Sequence, residues 1–255
     1  DGLYKSLYKN KFEDDGAKTP IQSKPNQLFV PEYNNHESSS FVVDSWYKKS
    51  LWLYLLYPFS LAIQYLTNRR RRKYLKNLPS LKKNIPVVIV GNLTIGGTGK
   101  TPLVKYIASS LKNLGYKPGL VSRGYGGNYK KTMKVDLNSS VKATGDEAQI
   151  LSKLELPFYI DRDRVRAVDT LISNHDCDVV ITDDGLQHYN LKRDIEIIVI
   201  DGKRRFGNNL VFPAGPLRES KKRLKDADFI INNSGPTEDN EILMNISPSR
   251  FVHLN

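Results

Sequence analysis

The residues best placed to do chemistry lie in the segment Gly91-Asn92-Leu93-Thr94-Ile95-Gly96-Gly97-Thr98-Gly99-Lys100-Thr101. It follows the apolar run Pro86-Val87-Val88-Ile89-Val90 and precedes a helix-forming stretch, which is where a strand-to-helix turn receives phosphate. Gly96, Gly97 and Gly99 let successive backbone N–H groups turn inward together, and the start of the helix adds positive potential. Lys100 can reach β- and γ-phosphates, and the Thr101 hydroxyl can ligate Mg²⁺. Thr94 stands where the usual pattern has its first glycine, and Ile95 follows it; the three remaining glycines suffice to close the loop. A chance glycine-rich turn would not set Lys-Thr in this register. Thr94 through Thr101 are therefore the expected nucleotide-binding residues.

A second acidic element ends the apolar run Val179-Val180-Ile181-Thr182 with Asp183-Asp184-Gly185. Carboxylates at the carboxyl end of a parallel strand face the ligand crevice, so one of Asp183 and Asp184 is positioned to hold Mg²⁺, directly or through water. The bland alternative is an Asp-Gly turn. No Asn-Lys-x-Asp sequence occurs, which argues against a GTPase. Three further clusters combine Gly or Pro with charge, as binding loops do. They are Ser122-Arg123-Gly124-Tyr125-Gly126-Gly127, Thr144-Gly145-Asp146-Glu147 and Phe212-Pro213-Ala214-Gly215-Pro216-Leu217-Arg218-Glu219. Taken singly, each reads as an ordinary turn.

These loops need a scaffold, and the sequence supplies one by alternation. Short apolar runs at 86–90, 120–121, 158–160, 179–182, 195–200 and 229–231 read as strands covered on both faces. Helical patterns at 101–114, 146–154 and 164–173 lie between some of them, so a mostly parallel α/β sheet with flanking helices is expected. Arg250 to Leu254 read as one more strand. Asp161-Arg162-Asp163-Arg164-Val165-Arg166 reads as a solvated helix start, with contact to a substrate phosphate as the alternative, His36 and His175 as surface or loop residues, and Cys177 as a small buried filler.

The 255 residues carry 39 Lys and Arg against 27 Asp and Glu, a net charge of +12. With 39% hydrophobic residues a core is affordable, and one cysteine excludes a disulfide framework or a Cys-rich zinc module. Most of the charge excess sits between residues 44 and 85, flanking Leu51 to Leu66, whose only clearly polar members are Ser60 and Gln64. As a helix this stretch would span about 24 Å, short of the roughly 30 Å bilayer core, and Pro58 would interrupt it. Lys48-Lys49 before it and Arg69 to Lys73 after it suit a helix lying in an anionic membrane interface, with Trp46 and Trp52 at headgroup level. A buried core helix is the alternative. A nucleic-acid arm would interleave aromatic and basic residues along a groove, whereas here the charges bracket an apolar helix; no nucleic-acid partner is expected. Residues 1–43 read as a flexible tail or linker, 44–80 as the interfacial helix and basic segment, and 81–255 as the catalytic domain.

As an ordered series, Gly91-Asn92-Leu93, Gly96-Gly97-Thr98-Gly99-Lys100-Thr101-Pro102, Ser122-Arg123-Gly124-Tyr125-Gly126-Gly127, Gly145-Asp146-Glu147, Asp183-Asp184-Gly185-Leu186-Gln187-His188 and Pro213-Ala214-Gly215-Pro216-Leu217-Arg218-Glu219 resemble the tetraacyldisaccharide 4′-kinases of lipid A synthesis. The resemblance runs from about Trp46 to Asn255 and accounts for Thr94. It implies a P-loop kinase, dependent on ATP and Mg²⁺, that phosphorylates the 4′-hydroxyl of a tetraacylated glucosamine disaccharide 1-phosphate. It also implies a peripheral or monotopic position at the cytoplasmic face of the inner membrane. By position, Lys100 and Thr101 handle phosphates and metal, and Asp183 and Asp184 match the metal-binding pair. Asp146 matches the catalytic base and Glu147 its acidic neighbour. Arg123, Tyr125, Gln187, His188 and Arg218 match positions around phosphates and sugar. The family's base is oriented by a histidine on a following lobe; His253 is not at a matching motif, so a C-terminal lobe is expected to be incomplete here. Asp1-Gly2-Leu3-Tyr4-Lys5-Ser6-Leu7-Tyr8 through Asp15 resembles the end of an ABC lipid exporter's ATPase domain, implying fusion to, or proximity with, such an exporter. Another membrane-associated P-loop ATPase or kinase is the competing reading, one that need not contain Arg-Gly-Tyr-Gly-Gly or Pro-Ala-Gly-Pro-Leu-Arg-Glu.

Overall fold

The computed structural model describes residues 41–48, 50–76 and 79–246. Eight strands are described: β1 (Val87–Gly91), β2 (Pro118–Ser122), β3 (Met133–Lys134), β4 (Phe158–Ile160), β5 (Val179–Asp183), β6 (Ile195–Asp201), β7 (Phe229–Asn233) and β8 (Glu241–Met244). They form one sheet in the order β3-β4-β2-β5-β1-β6-β7-β8, parallel throughout except for β3 against β4. The helices are α1 (Phe41–Lys48), α2 (Tyr57–Lys76), α3 (Lys100–Asn113), α4 (Val141–Thr144), α5 (Asp146–Ser152) and α6 (Arg164–Asn174), with 3₁₀ turns at Leu51–Leu56 and Lys221–Asp226. This is the expected mostly parallel α/β sheet with flanking helices.

The alternation of strand side chains builds the layers. Val88 and Val90 join Val104, Ile107 and Leu111 of α3 on one face, while Val87 and Ile89 join Ala167, Val168 and Leu171 of α6 on the other. All five residues of β1 are buried, which is why the run reads as continuously apolar. A third cluster, around Leu93, Leu186, Ile198, Phe206 and Leu217, seals the carboxyl end of the sheet and receives Ile63 of α2. The two strands that the sequence does not announce, β3 and β8, are too short and too exposed to show a period.

The N-terminal segment differs from its sequence reading. Leu51–Leu56 winds as a 3₁₀ helix, and α2 starts at Tyr57 and continues through the basic run to Lys76. Pro58 therefore does not interrupt a helix. It lies in the first turn of α2, where its missing N–H has no intrahelical partner to lose. Helix α1 begins at Phe41, inside the expected tail, and Phe41 stacks on Trp52 with ring centres 5.7 Å apart. Trp46 is not at headgroup level: it is buried and donates to the Pro213 carbonyl at 3.0 Å. Ser60 Oγ accepts from the Ala214 amide at 3.0 Å, and Arg71 pairs with Asp226 at 3.0 Å. These contacts dock α1 and α2 on the sheet domain. No helix among the described residues is long and apolar enough to cross a membrane. The expected strand at Arg250–Leu254, His36, Lys49, His253 and the exporter-like segment lie outside the described residues.

Candidate active site

Strands β1 and β5 are parallel neighbours with Val90 opposite Asp183, so the loop after β1 and the Asp183-Asp184-Gly185 turn emerge side by side. The approach is close: a Cβ on Gly91 would sit 2.5 Å from the Leu186 Cβ. Helix α3 then brings its first turn over β5, and the Thr101 hydroxyl donates to Asp183 Oδ2 at 3.0 Å. The Lys100 ammonium lies 3.7 Å from Asp184 Oδ1. Asp184 has a positive φ of 52° and is held from its other side by Arg218, whose Nη1 donates to both carboxylate oxygens at 3.1 and 3.3 Å.

Asp183 is only 2% exposed. Its pKa is pushed up to about 7, first by burial and then by the Glu147 and Asp184 carboxylates, against the opposing pull of Lys100 and the Thr101 hydrogen bond. Its Oδ1 is buried with no hydrogen-bond partner among the described residues. A buried carboxylate oxygen left without a donor, beside a hydroxyl, fits a hard cation. Among the described residues no group of three or more His, Cys, Asp or Glu could hold a metal ion. Mg²⁺ suits such a site, since it is commonly bound by one or two carboxylates completed by water and phosphate oxygens.

Within the loop, the expected residues divide into two sets. Thr94 bridges to Leu217, and the Ile95 amide donates to the Pro216 carbonyl at 2.8 Å. Both therefore fasten the outer rim rather than presenting amides to phosphate. The backbone N–H groups of Gly96, Gly97, Thr98, Gly99 and Lys100 have no protein acceptor among the described residues. Gly99 precedes α3 at φ 91°, the left-handed conformation that lets the chain turn from loop into helix.

Asp146 and Glu147 open α5 and are exposed; Glu147 is near enough to Asp183 to raise its pKa. Their position is set by Gly145, at φ 86°, whose Cα backs so closely on the Tyr125 carbonyl that a Cβ there would lie 1.9 Å from it. The Arg123–Gly127 loop is thereby pressed against the start of α5. Arg123 and Tyr125 line a recess of ≈ 180 Å³ with Tyr129 and Arg162. Gln187 is fixed three ways, donating to Asn92 O at 3.1 Å and Glu219 Oε1 at 3.0 Å while its Oε1 accepts from Arg218 at 3.3 Å. His188 accepts from the Arg164 amide at 3.1 Å through Nε2, and burial together with the Arg164 charge holds its pKa down at about 4.

Sequence reasoning missed Arg164. The Asp161–Arg166 stretch is not simply solvated: Asp161 and Arg164 are both buried, and Asp161 takes a two-pronged contact from Arg166 at 2.7 Å on each oxygen. The Arg164 guanidinium is pulled down to about 10 by burial, opposed by the charges of Asp184 and Asp183, so it is close enough to feel the acidic pair. One signal was available. Arg164 is the first residue of a helix capped by Asp163, where a cation opposes the helix dipole unless an anion elsewhere compensates. Glu219, which fixes Gln187, sat inside a recognised loop without a role. His175 lies in the loop just after α6, as expected, and its ring meets Tyr159 edge-on at 5.9 Å.

A sequence profile of the tetraacyldisaccharide-1-P 4′-kinases (LpxK) matches residues 52–254. The chain is 46% identical over 210 residues to a tetraacyldisaccharide 4′-kinase of Shewanella denitrificans, covering 81% of this chain and 63% of that protein. It is 46% identical over 201 residues to the enzyme of the same name from Pseudoalteromonas atlantica, covering 78% and 66%. The chain thus spans a little under two thirds of the length of these relatives. The crystal structure of LpxK from Aquifex aeolicus in complex with ATP superposes with a TM-score of 0.67 at 30% identity, over 76% of this chain and 64% of that one. A profile match across this span, together with the shared fold, shows that the chain belongs to the tetraacyldisaccharide-1-P 4′-kinase family.

Proposed function

We propose that this chain carries the catalytic domain of an ATP-dependent kinase acting on the 4′-hydroxyl of a tetraacylated disaccharide 1-phosphate in lipid A synthesis. The observation that carries the reading is a run of loop amides without protein acceptors among the described residues, leading into the helix whose Thr101 meets Asp183. The Aquifex aeolicus relative was solved with ATP, which supports ATP as the donor. The loop amides, Lys100 and Arg218 neutralise charge on the triphosphate, and phosphoryl transfer needs this and in-line positioning more than covalent help. Thr101, Asp183 and Asp184 would hold Mg²⁺, which when bound adds charge neutralisation at the phosphates. Asp146, exposed at the head of α5, accepts the proton of the sugar hydroxyl as its oxygen bonds to the γ-phosphorus and the bond to the ADP oxygen breaks. Glu147 adds negative potential beside it. Arg123, Tyr125, Gln187 and His188 surround the acceptor side.

The same reading places the protein at the inner-membrane surface, on the cytoplasmic face where ATP is available. Leu55, Phe59, Ala62 and Leu66 are exposed at spacings of three and four along one side of the 3₁₀ turn and α2, followed by exposed Arg69 and Lys73. The opposite stripe, Ser60, Ile63, Thr67 and Arg71, faces the sheet domain. An apolar edge ending in cations suits acyl chains below anionic headgroups.

The test is transfer of labelled γ-phosphate from ATP to the disaccharide lipid by the full-length polypeptide. Asp146→Ala and Lys100→Ala are each expected to lower turnover by 10²- to 10⁴-fold, by order of magnitude. Unchanged turnover in both would remove the roles assigned here.

A further inference from the structure

Three consecutive carbonyls of the phosphate loop are each caught by a side chain from elsewhere. Gly96 O accepts from Asn92 Nδ2 at 3.2 Å, Gly97 O from Arg204 Nη2 at 2.5 Å, and Thr98 O from Asn233 Nδ2 at 3.2 Å. The donors come from the end of β1, the turn after β6 and the end of β7. In a trans peptide the C=O and the following N–H point in opposite directions. Drawing these three carbonyls outward therefore turns the amides of Gly97, Thr98 and Gly99 the other way, and those are amides without a protein acceptor among the described residues.

We propose that Arg204, seconded by Asn92 and Asn233, is a positioning residue that holds the phosphate loop with its amides inward before nucleotide arrives. This rests on the reading of Gly96–Thr101 as the nucleotide loop. The physical need is clear from the composition. Glycine peptides reorient at little steric cost, and one flip would aim a carbonyl oxygen at an anionic phosphate. Preorganisation removes that alternative, and the ordering entropy with it, before binding. Arg204 is itself braced: Asp201 Oδ2 accepts from its Nε at 2.6 Å, and Asp201 Oδ1 accepts from the amides of Lys203 and Arg204 at 3.0 and 2.9 Å. The guanidinium thus bridges Asp201 and Gly97. It lies on the surface, so its replacement leaves the core intact.

The discriminating variant is Asp201→Asn. It keeps an acceptor for the two turn amides, loses the ionic brace on Arg204 and removes a negative charge near the triphosphate site. By charge alone it would tighten ATP binding; by loss of loop positioning it weakens it. Titration calorimetry with Mg-ATP is expected to show Kd raised about 3- to 10-fold in Asp201→Asn and about 5- to 30-fold in Arg204→Ala, with Arg204→Lys restoring little because it lacks the fork. Amide order parameters of Gly97 and Gly99 in the nucleotide-free protein are expected near 0.85 in the wild type and clearly lower in both variants. Tighter or unchanged ATP binding in Asp201→Asn, or unchanged order parameters, overturns the proposal. A wild type that binds no ATP sinks the kinase reading instead, while the order parameters still decide the role of Arg204.

Discussion

The Thr101 hydroxyl and Asp183 Oδ2 meet at 3.0 Å although 82 positions separate them in the chain. This contact joins the first turn of α3 to the end of β5, and it is the one hydrogen-bond donor to the buried Asp183 carboxylate among the described residues. Thr101→Val preserves shape and removes the donor. It is expected to lower turnover at least about 100-fold and to destabilise the fold by about 1–3 kcal/mol, the usual effect of a buried acceptor left unmet. Thr101→Ser should recover most of both. Phosphoryl-transfer rates and urea midpoints check the pair, and a fully active valine variant would contradict the assignment.

Gly145 holds the position of Asp146 through its own lack of a side chain. At φ 86°, with the Tyr125 carbonyl where a Cβ would be, alanine meets both backbone strain and a direct clash. Gly145→Ala is expected to push the Arg123–Gly127 loop away from α5 and to lower kcat by about 10²-fold, as an ångström of misplacement commonly does. Mg-ATP affinity, measured separately, should change little, because the phosphate loop lies on another strand end.

His188 supplies a pH dependence with a defined sign. Its folded pKa is depressed to about 4, by burial first and the Arg164 charge second. The unfolded imidazole titrates near 6.5. Between those values the unfolded chain binds a proton that the folded chain refuses, so this group's stabilisation is present above about pH 6.5 and is lost as pH falls toward 4. His188→Gln keeps an acceptor for the Arg164 amide and cannot titrate. Between pH 7 and pH 5 the wild type is expected to lose about 2 kcal/mol more than this variant in urea unfolding. Equal losses would mean the ring is freely protonated.

The apolar edge of the N-terminal segment can be tested without disturbing its docked side. Leu55 and Phe59 are 77% and 63% exposed, whereas Trp46, Leu53 and Ser60 of the same segment are buried against the rest of the protein. Leu55→Ser with Phe59→Ser is expected to weaken partition onto anionic vesicles by about 10- to 100-fold, near 1 kcal/mol or somewhat more per side chain. The circular dichroism spectrum should not change. Undiminished sedimentation with vesicles would exclude this edge as the membrane contact. Deleting the whole segment is a poorer experiment, since it would also uncover Pro213 and Ala214.

The candidate chemistry proposed for this protein was legible wherever it resides in contiguous residues. Glycines, a lysine and a threonine in fixed register make a phosphate loop almost by local stereochemistry, and apolar runs covered on both faces mark strands in any order. The sequence by itself therefore determined the fold class and the strands from β1 to β7 apart from the two-residue β3. What it left open depends on which distant segments become neighbours. That Val90 lies beside Asp183, that Arg164 is buried within reach of the acidic pair's charge, and that Arg204 and Asn233 reach back to the loop carbonyls are results of strand order. Trp46 gives the same lesson in the other direction: an indole flanked by cations has the composition of a membrane anchor, yet a single carbonyl at Pro213 and a place to pack draw it inward. Burial is a property of the assembled surface, and the same side chain is core or interface according to what tertiary packing sets against it.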